Sequence, residues 1–220
     1  MIRNLLIIFI LTITYSCSSD DTNVEPSIVP DENEQVDPGF YALQVGNSWT
    51  YKNYKRNINT EAYDDTGVID SVSIVGTQEF NGSTYFKFRR NTIGNEANIT
   101  FCNPNGEHFE YLRDSLGNLV NELGAVKFTN SNYSERLLNT DSWGTTYETL
   151  NADEASITVE AGAFDCVFSQ RYAKSTEGEQ FPGLDHFYYA EGIGLIYDTT
   201  SFISTAHHSI ERRLDTYFVQ

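Results

Sequence analysis

Apolar and polar side chains alternate along most of the chain after residue 38, and this alternation constrains the fold more than any other feature. Trp49 and Tyr51, for example, alternate with Thr50 and Lys52. Successive side chains of a β-strand point to opposite faces, so a period of two indicates strands with one buried and one solvated face. Lys52 favours water, which predicts Trp49 and Tyr51 on the buried face, with Trp49 anchoring the core.

Rows of this kind recur in about nine or ten segments, bounded by Gly, Asn and Asp, which favour turns. Their apolar members include, row by row, Val68, Val72 and Ile74 (in a row with Asp70); Phe86 and Phe88; Phe109 and Tyr111; Ile157 and Val159; Cys166, Phe168 and Tyr172; Phe187 and Tyr189; Ile193, Leu195 and Tyr197; and Ile210, Leu214 and Phe218. Asn105-Gly106 favours a hairpin between strands around Phe101 and Phe109.

No segment sustains a helical period, and only two short helices are predicted, at Tyr41–Val45 and Ser134–Asn139. Parallel strands need long crossover connections, usually helical, so a chain with few helices favours an antiparallel sheet. We therefore predict a mainly β fold. Residues 39–220 should form a single domain, built on a curved antiparallel sheet or an open β-barrel with few short helices.

The first 16 residues have the pattern of a secretory signal peptide. Arg3 supplies a positive charge, and residues 5–14 form a mainly apolar run, about half the length that a membrane-spanning helix needs. Ser16-Cys17 follows directly and resembles the lipobox of bacterial lipoproteins. The resemblance implies cleavage after Ser16 and acylation of Cys17, so that the membrane is a partner through a lipid anchor.

An acidic segment follows the anchor. Residues 18–38 contain seven acidic side chains and no Lys or Arg, which predicts that residues 17–38 form a solvated, flexible tether. Within it, Ser18-Ser19-Asp20-Asp21 resembles the acidic signal that routes lipoproteins of the Bacteroidota to the cell surface. The resemblance implies an outer-membrane protein exposed at the surface, with the periplasmic face as the alternative.

The remainder of the chain is also acidic. The whole sequence carries a net charge of −17, and residues 39–220, with 24 acidic and 13 basic side chains, account for −11 of it. Binding to phosphates requires clusters of Lys and Arg, and the sequence has none. We therefore predict that nucleic acid is not a partner.

Several short phrases occur in an order typical of one protein family. Residues 43–51 read LQVGNSWTY, residues 159–166 read VEAGAFDC, and residues 189–197 read YAEGIGLIY. In this order they resemble an uncharacterised family of Bacteroidota-type outer-membrane or surface lipoproteins. The resemblance implies a secreted, mostly β protein. The family has no assigned activity, so the resemblance implies no catalytic residues.

A search for catalytic and cofactor motifs yields no candidate. His207 and His208 are adjacent, so on a strand their rings would point to opposite faces, and His108 and His186 are isolated. The nucleophile motif GxSxG and the nucleotide-binding glycine loops are absent. We therefore predict no metal site, no cofactor and no catalytic residue. Carboxylate pairs for glycoside hydrolysis would have to come from turn-like stretches, such as Asp153-Glu154, Glu177 with Glu179, and Asp185.

Two further features leave alternatives open. Cys102 and Cys166 are the thiols remaining beside Cys17. They could form a disulfide in an oxidising envelope or stay as buried free thiols. Arg212 interrupts the apolar row of the last predicted strand. Either that strand lies at a sheet edge or the side chain extends out to solvent, or Arg212 is a cation on a concave face where an anionic ligand docks.

Together these features indicate a lipid-anchored cell-envelope protein that acts as a non-enzymatic binding or accessory module. A glycan or an apolar molecule held on a concave aromatic face is the expected ligand. The alternatives are a hydrolase of envelope polymers and a purely structural envelope protein. Titratable side chains converging in one cleft would favour the hydrolase, and an aromatic-lined groove would favour the binding module.

Overall fold

The computed structural model describes residues 39–220, which fold into thirteen β-strands without a helix. None of the described residues belongs to a helix long and apolar enough to cross a membrane. The predicted signal peptide (1–16), the acylation site Cys17 and the acidic tether (17–38) lie outside the described residues. The strands are β1 Ser48–Arg56, β2 Tyr63–Phe80, β3 Ser83–Ile93, β4 Gly106–Ser115, β5 Asn118–Asn121, β6 Val126–Thr129, β7 Arg136–Asp141, β8 Gly144–Leu150, β9 Ala155–Val159, β10 Gly162–Ser175, β11 Gln180–Ala190, β12 Gly194–Thr200 and β13 Ile210–Phe218.

All strands belong to one antiparallel sheet. The order is β6-β5-β4-β3-β2-β1-β13-β12-β11-β10-β8-β7, with β9 pairing with β10 outside this path. Most strands pair with their neighbours in sequence. Two pairings join strands that are not consecutive: β1 with the last strand, β13, and β8 with β10. The consecutive strands β6 and β7, and β8 and β9, do not pair with each other. The prediction of a single, mainly β domain with an antiparallel sheet is confirmed.

The sheet curls until its two ends lie close together. On its inner face, the ring of Phe128 in β6 stacks on that of Tyr189 in β11, with centroids 4.0 Å apart. At the rim, the guanidinium of Arg136 in β7 donates a hydrogen bond to the carbonyl of Val126 in β6. No ladder of backbone hydrogen bonds joins β6 to β7 in the described part of the chain, so the sheet is strongly curved and not closed into a barrel.

Both predicted helices are wrong. Ser134–Asn139 is mostly part of β7, because Arg136 reaches the buried carboxylate of Glu148 on β8, and this tertiary contact outweighs local propensity. Tyr41–Val45 consists of turns. Ala42 adopts φ = 52°, and its carbonyl accepts a hydrogen bond from the side-chain amide of Asn47 rather than from the next helical turn.

The sequence analysis also misplaced several strands. It missed β5 to β8, which are short or rich in Thr and Asn. Phe101, expected in a strand, has φ = 71° and lies in the connection between β3 and β4. Phe218 is exposed, although it was expected to share the buried face of Ile210 and Leu214, because the β1–β13 register shifts between Thr50 and Tyr51.

Two apolar clusters fill the inside of the curved sheet. The larger contains Trp49, Tyr51, Ile74, Ile196 and Leu214, and both aromatic residues have only 4% of their surface exposed. This confirms the predicted burial of Trp49 and Tyr51. The second cluster contains Tyr41, Leu112, Leu119, Phe128 and Leu150.

Residues 39–47 close one end of the curved sheet. Tyr41 belongs to the second cluster, and its hydroxyl donates to the carbonyl of Gly117 at 2.6 Å. Ala42 is fully buried in the larger cluster. The buried side chain of Asn47 fixes this segment, because its amide donates to the Ala42 carbonyl and its oxygen accepts from the backbone N–H of Gln220.

Candidate ligand-binding cavity

A cavity of about 510 Å³ opens on the inner face of the sheet. Its walls come from β1 to β6 on one side and from β11 to β13 on the other, with the 39–47 segment contributing at one end. Sites that bind small molecules typically enclose roughly 300–1,000 Å³. The aromatic residues that line this cavity are Tyr41, Trp49, Tyr51, Phe88, Phe109 and Tyr189.

One row of side chains across four neighbouring strands forms a wall of the cavity. Trp49 of β1 lies opposite Val72 of β2, Val72 opposite Arg90 of β3, and Arg90 opposite His108 of β4. Directly opposed residues on one face of a sheet have Cβ atoms about 4.5–5.5 Å apart. The antiparallel register therefore places an indole ring and a guanidinium in the same wall.

Hydrogen bonds fix the two central rings of the cavity. The indole N–H of Trp49 donates to the carbonyl of Ile193 at 2.8 Å, and the ring stacks on Phe88. The hydroxyl of Tyr51 donates to the carbonyl of Leu195 at 2.9 Å. Burial raises the pKa of Tyr51, against the opposing effect of the Arg212 cation, so this hydroxyl is neutral. With their polar atoms satisfied, both residues present apolar ring surface.

Arg212 lines the cavity and is firmly paired. Its guanidinium contacts both carboxylate oxygens of Asp198, at 2.8 and 3.1 Å, and lies 5.2 Å from the centroid of Tyr51. Burial alone would lower the pKa of Arg212, but Asp198 and Asp70 raise it. The interpretation of its strand as an edge strand is wrong, because β13 lies between β1 and β12.

A fully buried carboxylate lies behind the cavity wall. Asp70 accepts hydrogen bonds from Thr92 at 2.5 Å, from Asn103 at 3.0 Å and from Asn53 at 3.2 Å. The Arg212 guanidinium lies 3.9 Å away. The carboxylate is thus satisfied within the fold and serves to hold Arg212 and the 95–103 connection in place.

Arg90 differs from Arg212, because nothing in the fold pairs with it. Within residues 39–220 its guanidinium has neither a hydrogen bond nor an ion pair, and its Nε atom is buried without a partner. Burial lowers the pKa of Arg90, and the neighbouring charge of Arg212 adds to this effect, while Asp70 and Glu110 oppose it. The cavity wall therefore contains a half-buried cation without a counter-ion.

The remaining charged groups of the lining lie on β4 and at the β5–β6 end. Lys127 of β6 forms an ion pair with Glu110 of β4. Glu122 lies in the turn that follows β5. His108 contacts the carbonyl of Pro104 at 3.3 Å.

Cys102 and Cys166, the cysteines of the described residues, lie in different surroundings and are free thiols. Cys102 is half-buried in the connection between β3 and β4, and Cys166 is buried in the larger apolar cluster. The sequence left open a disulfide or two free thiols, and in the structure the two thiols are free. Burial raises the pKa of Cys102 to about 11 and that of Cys166 to about 12, so both are protonated at neutral pH and poor nucleophiles.

The acidic residues considered for hydrolysis do not converge. Asp153, Glu154, Glu177 and Glu179 are exposed, and Asp185 is engaged by the Ser201 hydroxyl at 2.6 Å. Two of the histidines do converge, because the rings of His186, expected to be isolated, and His208 have centroids 5.4 Å apart. In the described range, no group of three or more His, Cys, Asp or Glu side chains is arranged to hold a metal ion.

Sequence reasoning found part of the cavity and missed its unpaired cation. It singled out Trp49 and Arg212, which the structure places on the same lining, and noted Asp70 in an apolar row. It overlooked Arg90, although the spacing Phe86, Phe88, Arg90 places an arginine in line with two inward-facing rings. An unexplained charge in an apolar period-two row was the available signal.

No protein-family model matches the chain, and no characterised protein sequence matches it. Two solved structures are similar to it. One, from Bacteroides fragilis NCTC 9343 and designated an exported protein with a YmcC-like fold, is 13% identical with a TM-score of 0.49, and the alignment covers 82% of this chain and 99% of that one. The other, designated a lipoprotein of Parabacteroides distasonis ATCC 8503, is 12% identical with a TM-score of 0.48, and the same shares of the two chains are covered. The function therefore has to be argued from the cavity.

Proposed function

We propose that this chain is a lipid-anchored binding protein of the cell envelope, and that its ligand is a small molecule with an apolar body. The observation that carries the proposal is the 510 Å³ cavity on the inner face of the sheet. It is lined by aromatic rings, and the polar atoms of the two central ones, Trp49 and Tyr51, are already bonded within the fold. Charged and polar side chains, among them Arg90, His108 and Glu122, share the lining with these rings. A concave site of that size, which combines ring surface with polar groups, is typical of small-molecule sites.

The aromatic part of the lining favours apolar groups of a ligand over the hydroxyls of a neutral glycan. A sugar needs several free donors and acceptors around it, because its hydroxyls lose water on binding. Here Trp49 and Tyr51 direct their polar atoms into backbone carbonyls, and Arg212 is held by Asp198. What these residues offer to a ligand is mainly ring surface, whose burial is favourable by about 25 cal/mol per Å².

The cavity can be tested with N-phenyl-1-naphthylamine, a neutral dye that fluoresces in apolar surroundings. We expect it to bind the full chain carrying Cys17→Ala, a change that removes the proposed acylation site and the need for detergent. Val72→Phe should weaken binding about tenfold, because Val72 lines the cavity and the larger ring fills it.

Val75→Phe is the matched control. Val75 lies on the same strand but is 42% exposed and does not line the cavity, so its replacement should leave dye affinity unchanged. Absence of dye binding, or equal affinity of the two variants, would contradict the proposed site. Displacement of the dye by neutral glucose but not by 1-octanol would reassign the cavity to glycans.

The membrane anchor is the second part of the proposal. It is supported by the apolar run at residues 5–14, by Ser16-Cys17 and by the acidic segment that follows. We propose that acylated Cys17 anchors the domain to the outer membrane, and that Ser18-Ser19-Asp20-Asp21 directs it to the cell surface. A tether of 21 residues with seven negative charges would keep the cavity away from the bilayer.

Cys17→Ala tests the anchor directly. We expect the variant to lose acylation and to appear in the soluble fraction or as an uncleaved precursor, whereas Cys166→Ala should remain processed and membrane-bound. Fractionation with mass measurement of the N-terminus distinguishes these outcomes. Unchanged processing and membrane association of the Cys17→Ala protein would refute lipidation.

A further inference from the structure

We propose that the ligand of the cavity is an organic anion, with an apolar body against the aromatic walls and a carboxylate or a similar acidic group bound by Arg90. This inference rests on the proposed function and deepens it, because it names the chemical class of the ligand and the residue that recognises it. It is carried by the balance of charges in the cavity and by the position of Arg90 in the wall.

The charges of the cavity lining are paired within the fold, with two exceptions. Arg212 is matched by Asp198, and Lys127 by Glu110. The exceptions are Arg90 in the wall and Glu122 in the turn after β5. Arg90 lies in a strand of the wall, between Val72 and His108 in the cross-strand row, whereas Glu122 belongs to a connecting turn.

A buried donor without a partner, such as Nε of the half-buried Arg90, costs stability unless something compensates it. Two carboxylates, Asp70 and Glu110, lie close enough to Arg90 to influence its pKa. Both instead bond other partners, Asp70 with Thr92, Asn53 and Asn103, and Glu110 with Lys127. Arg90 is therefore left to complete its pairing with a group that enters the cavity.

The same comparison explains why Arg90 and not Arg212 is the recognition residue. Arg212 already holds Asp198 through two nitrogens, so an incoming anion would have to compete with a bidentate carboxylate. The donors of Arg90 make no hydrogen bond or ion pair with the described residues, so they are available to an incoming anion. A planar carboxylate matches the fork of a guanidinium in geometry and charge.

The apolar part of the ligand follows from the neighbours of Arg90. In the cross-strand row, Trp49 lies two strands away, with Val72 between them, and Phe88 precedes Arg90 by two positions on the same face of β3. A molecule whose acid group reaches Arg90 thus places its remaining atoms against Val72, Phe88 and Trp49. Fatty acids and aromatic acids have this construction.

Two dyes that share a ring system separate charge recognition from cavity binding. 8-Anilinonaphthalene-1-sulfonate is N-phenyl-1-naphthylamine with an added sulfonate. In the Cys17→Ala full chain, Arg90→Gln is expected to weaken binding of the sulfonated dye at least tenfold. It should change the affinity for the neutral dye less than twofold. Arg90→Lys, which keeps the positive charge, should retain most of the affinity for the sulfonated dye.

Arg89→Gln is the matched control. Arg89 is the neighbouring residue of β3, is exposed, and pairs with Glu107 at 3.7 Å. It carries the same charge outside the cavity, so its replacement should leave both affinities unchanged. If Arg89→Gln weakens the sulfonated dye as much as Arg90→Gln does, the dye senses surface charge and the inference fails.

The outcomes for the inference and for the proposed function are distinguishable. Binding of both dyes with no effect of Arg90→Gln would overturn anion recognition and leave the cavity intact, whereas binding of neither dye would overturn both. If Arg90→Gln does not fold, salt provides a second test on the unmodified cavity. Raising NaCl to about 1 M should weaken binding of the sulfonated dye and leave binding of the neutral dye unchanged.

Competition identifies the body of the anion. Octanoate should displace the sulfonated dye, and 1-octanol should do so at least tenfold less well. Displacement by glucuronate but not by octanoate would assign the cavity to an acidic sugar and overturn the apolar part of the inference. Equal displacement by octanoate and 1-octanol would overturn the anionic part.

Discussion

Replacing Trp49 with alanine is expected to lower the free energy of unfolding by about 3–5 kcal/mol. Trp49 is 4% exposed, stacks on Phe88 and donates its indole N–H to Ile193, so the change removes a large buried ring and leaves a backbone carbonyl without its donor. Domains are stable by only about 5–15 kcal/mol. Urea denaturation, followed by circular dichroism, measures the loss, and a low yield of folded Trp49→Ala protein would agree with it.

Trp143→Ala is the control for this prediction, because it is the chain's other tryptophan and is 40% exposed in the β7–β8 turn. Its replacement should cost less than about 1 kcal/mol, as surface substitutions usually do. If both variants unfold at the same urea concentration as the unmodified protein, Trp49 is not a core residue. Its role would then be confined to the cavity.

Glu148→Ala should have the second largest effect, a loss of about 3 kcal/mol, because it removes the shared partner of two arginines. The carboxylate of Glu148 is 2% exposed and contacts Arg136 and Arg171, each at 2.7 Å. Without it, two partly exposed guanidinium groups lie close together with no shared counter-ion. Arg136 also loses the contact that holds it against the Val126 carbonyl.

Glu135→Ala is the matched control for Glu148→Ala. Glu135 also accepts contacts from two partners, Tyr172 and Lys174, but it lies on the surface. Exposed ion pairs contribute about 0–1 kcal/mol, so Glu135→Ala should shift the urea midpoint little. If both variants lose the same free energy of unfolding, the burial of Glu148 adds nothing to its contribution to stability.

The sequence predicted the parts of the fold that depend on local pattern. Alternation placed Trp49 and Tyr51 on the buried face, and the scarcity of helical periods predicted an antiparallel sheet. The secondary structure was assigned wrongly where contacts with residues distant in the sequence determine the local conformation. Ser134–Asn139 has an acceptable helical pattern, but Arg136 on it reaches Glu148 on β8, and no local signal reveals that partner.

The candidate site was predictable to a similar extent. Arg212 and Asp70 were visible as charges in apolar rows, and the structure shows that they lie 3.9 Å apart although 142 positions separate them in the sequence. Which charge is paired and which is free could not be read from the sequence, because this depends on the register of β1 with β2 and β13. Arg90 stands out as a candidate recognition residue only in the structure, where the nearby carboxylates bond other partners.

The curl that brings β6 beside β7 also bears on how copies of the protein behave toward one another. A sheet that ends in open strands offers unpaired N–H and C=O groups to any neighbouring chain, and such edges promote aggregation. Here the two end strands of the sheet order lie next to each other, and Arg136 occupies the Val126 carbonyl at their junction. Lys127 and Arg136 add charged side chains to those strands. The occupied carbonyl and these two charges disfavour strand addition at both edges by neighbouring copies of the protein.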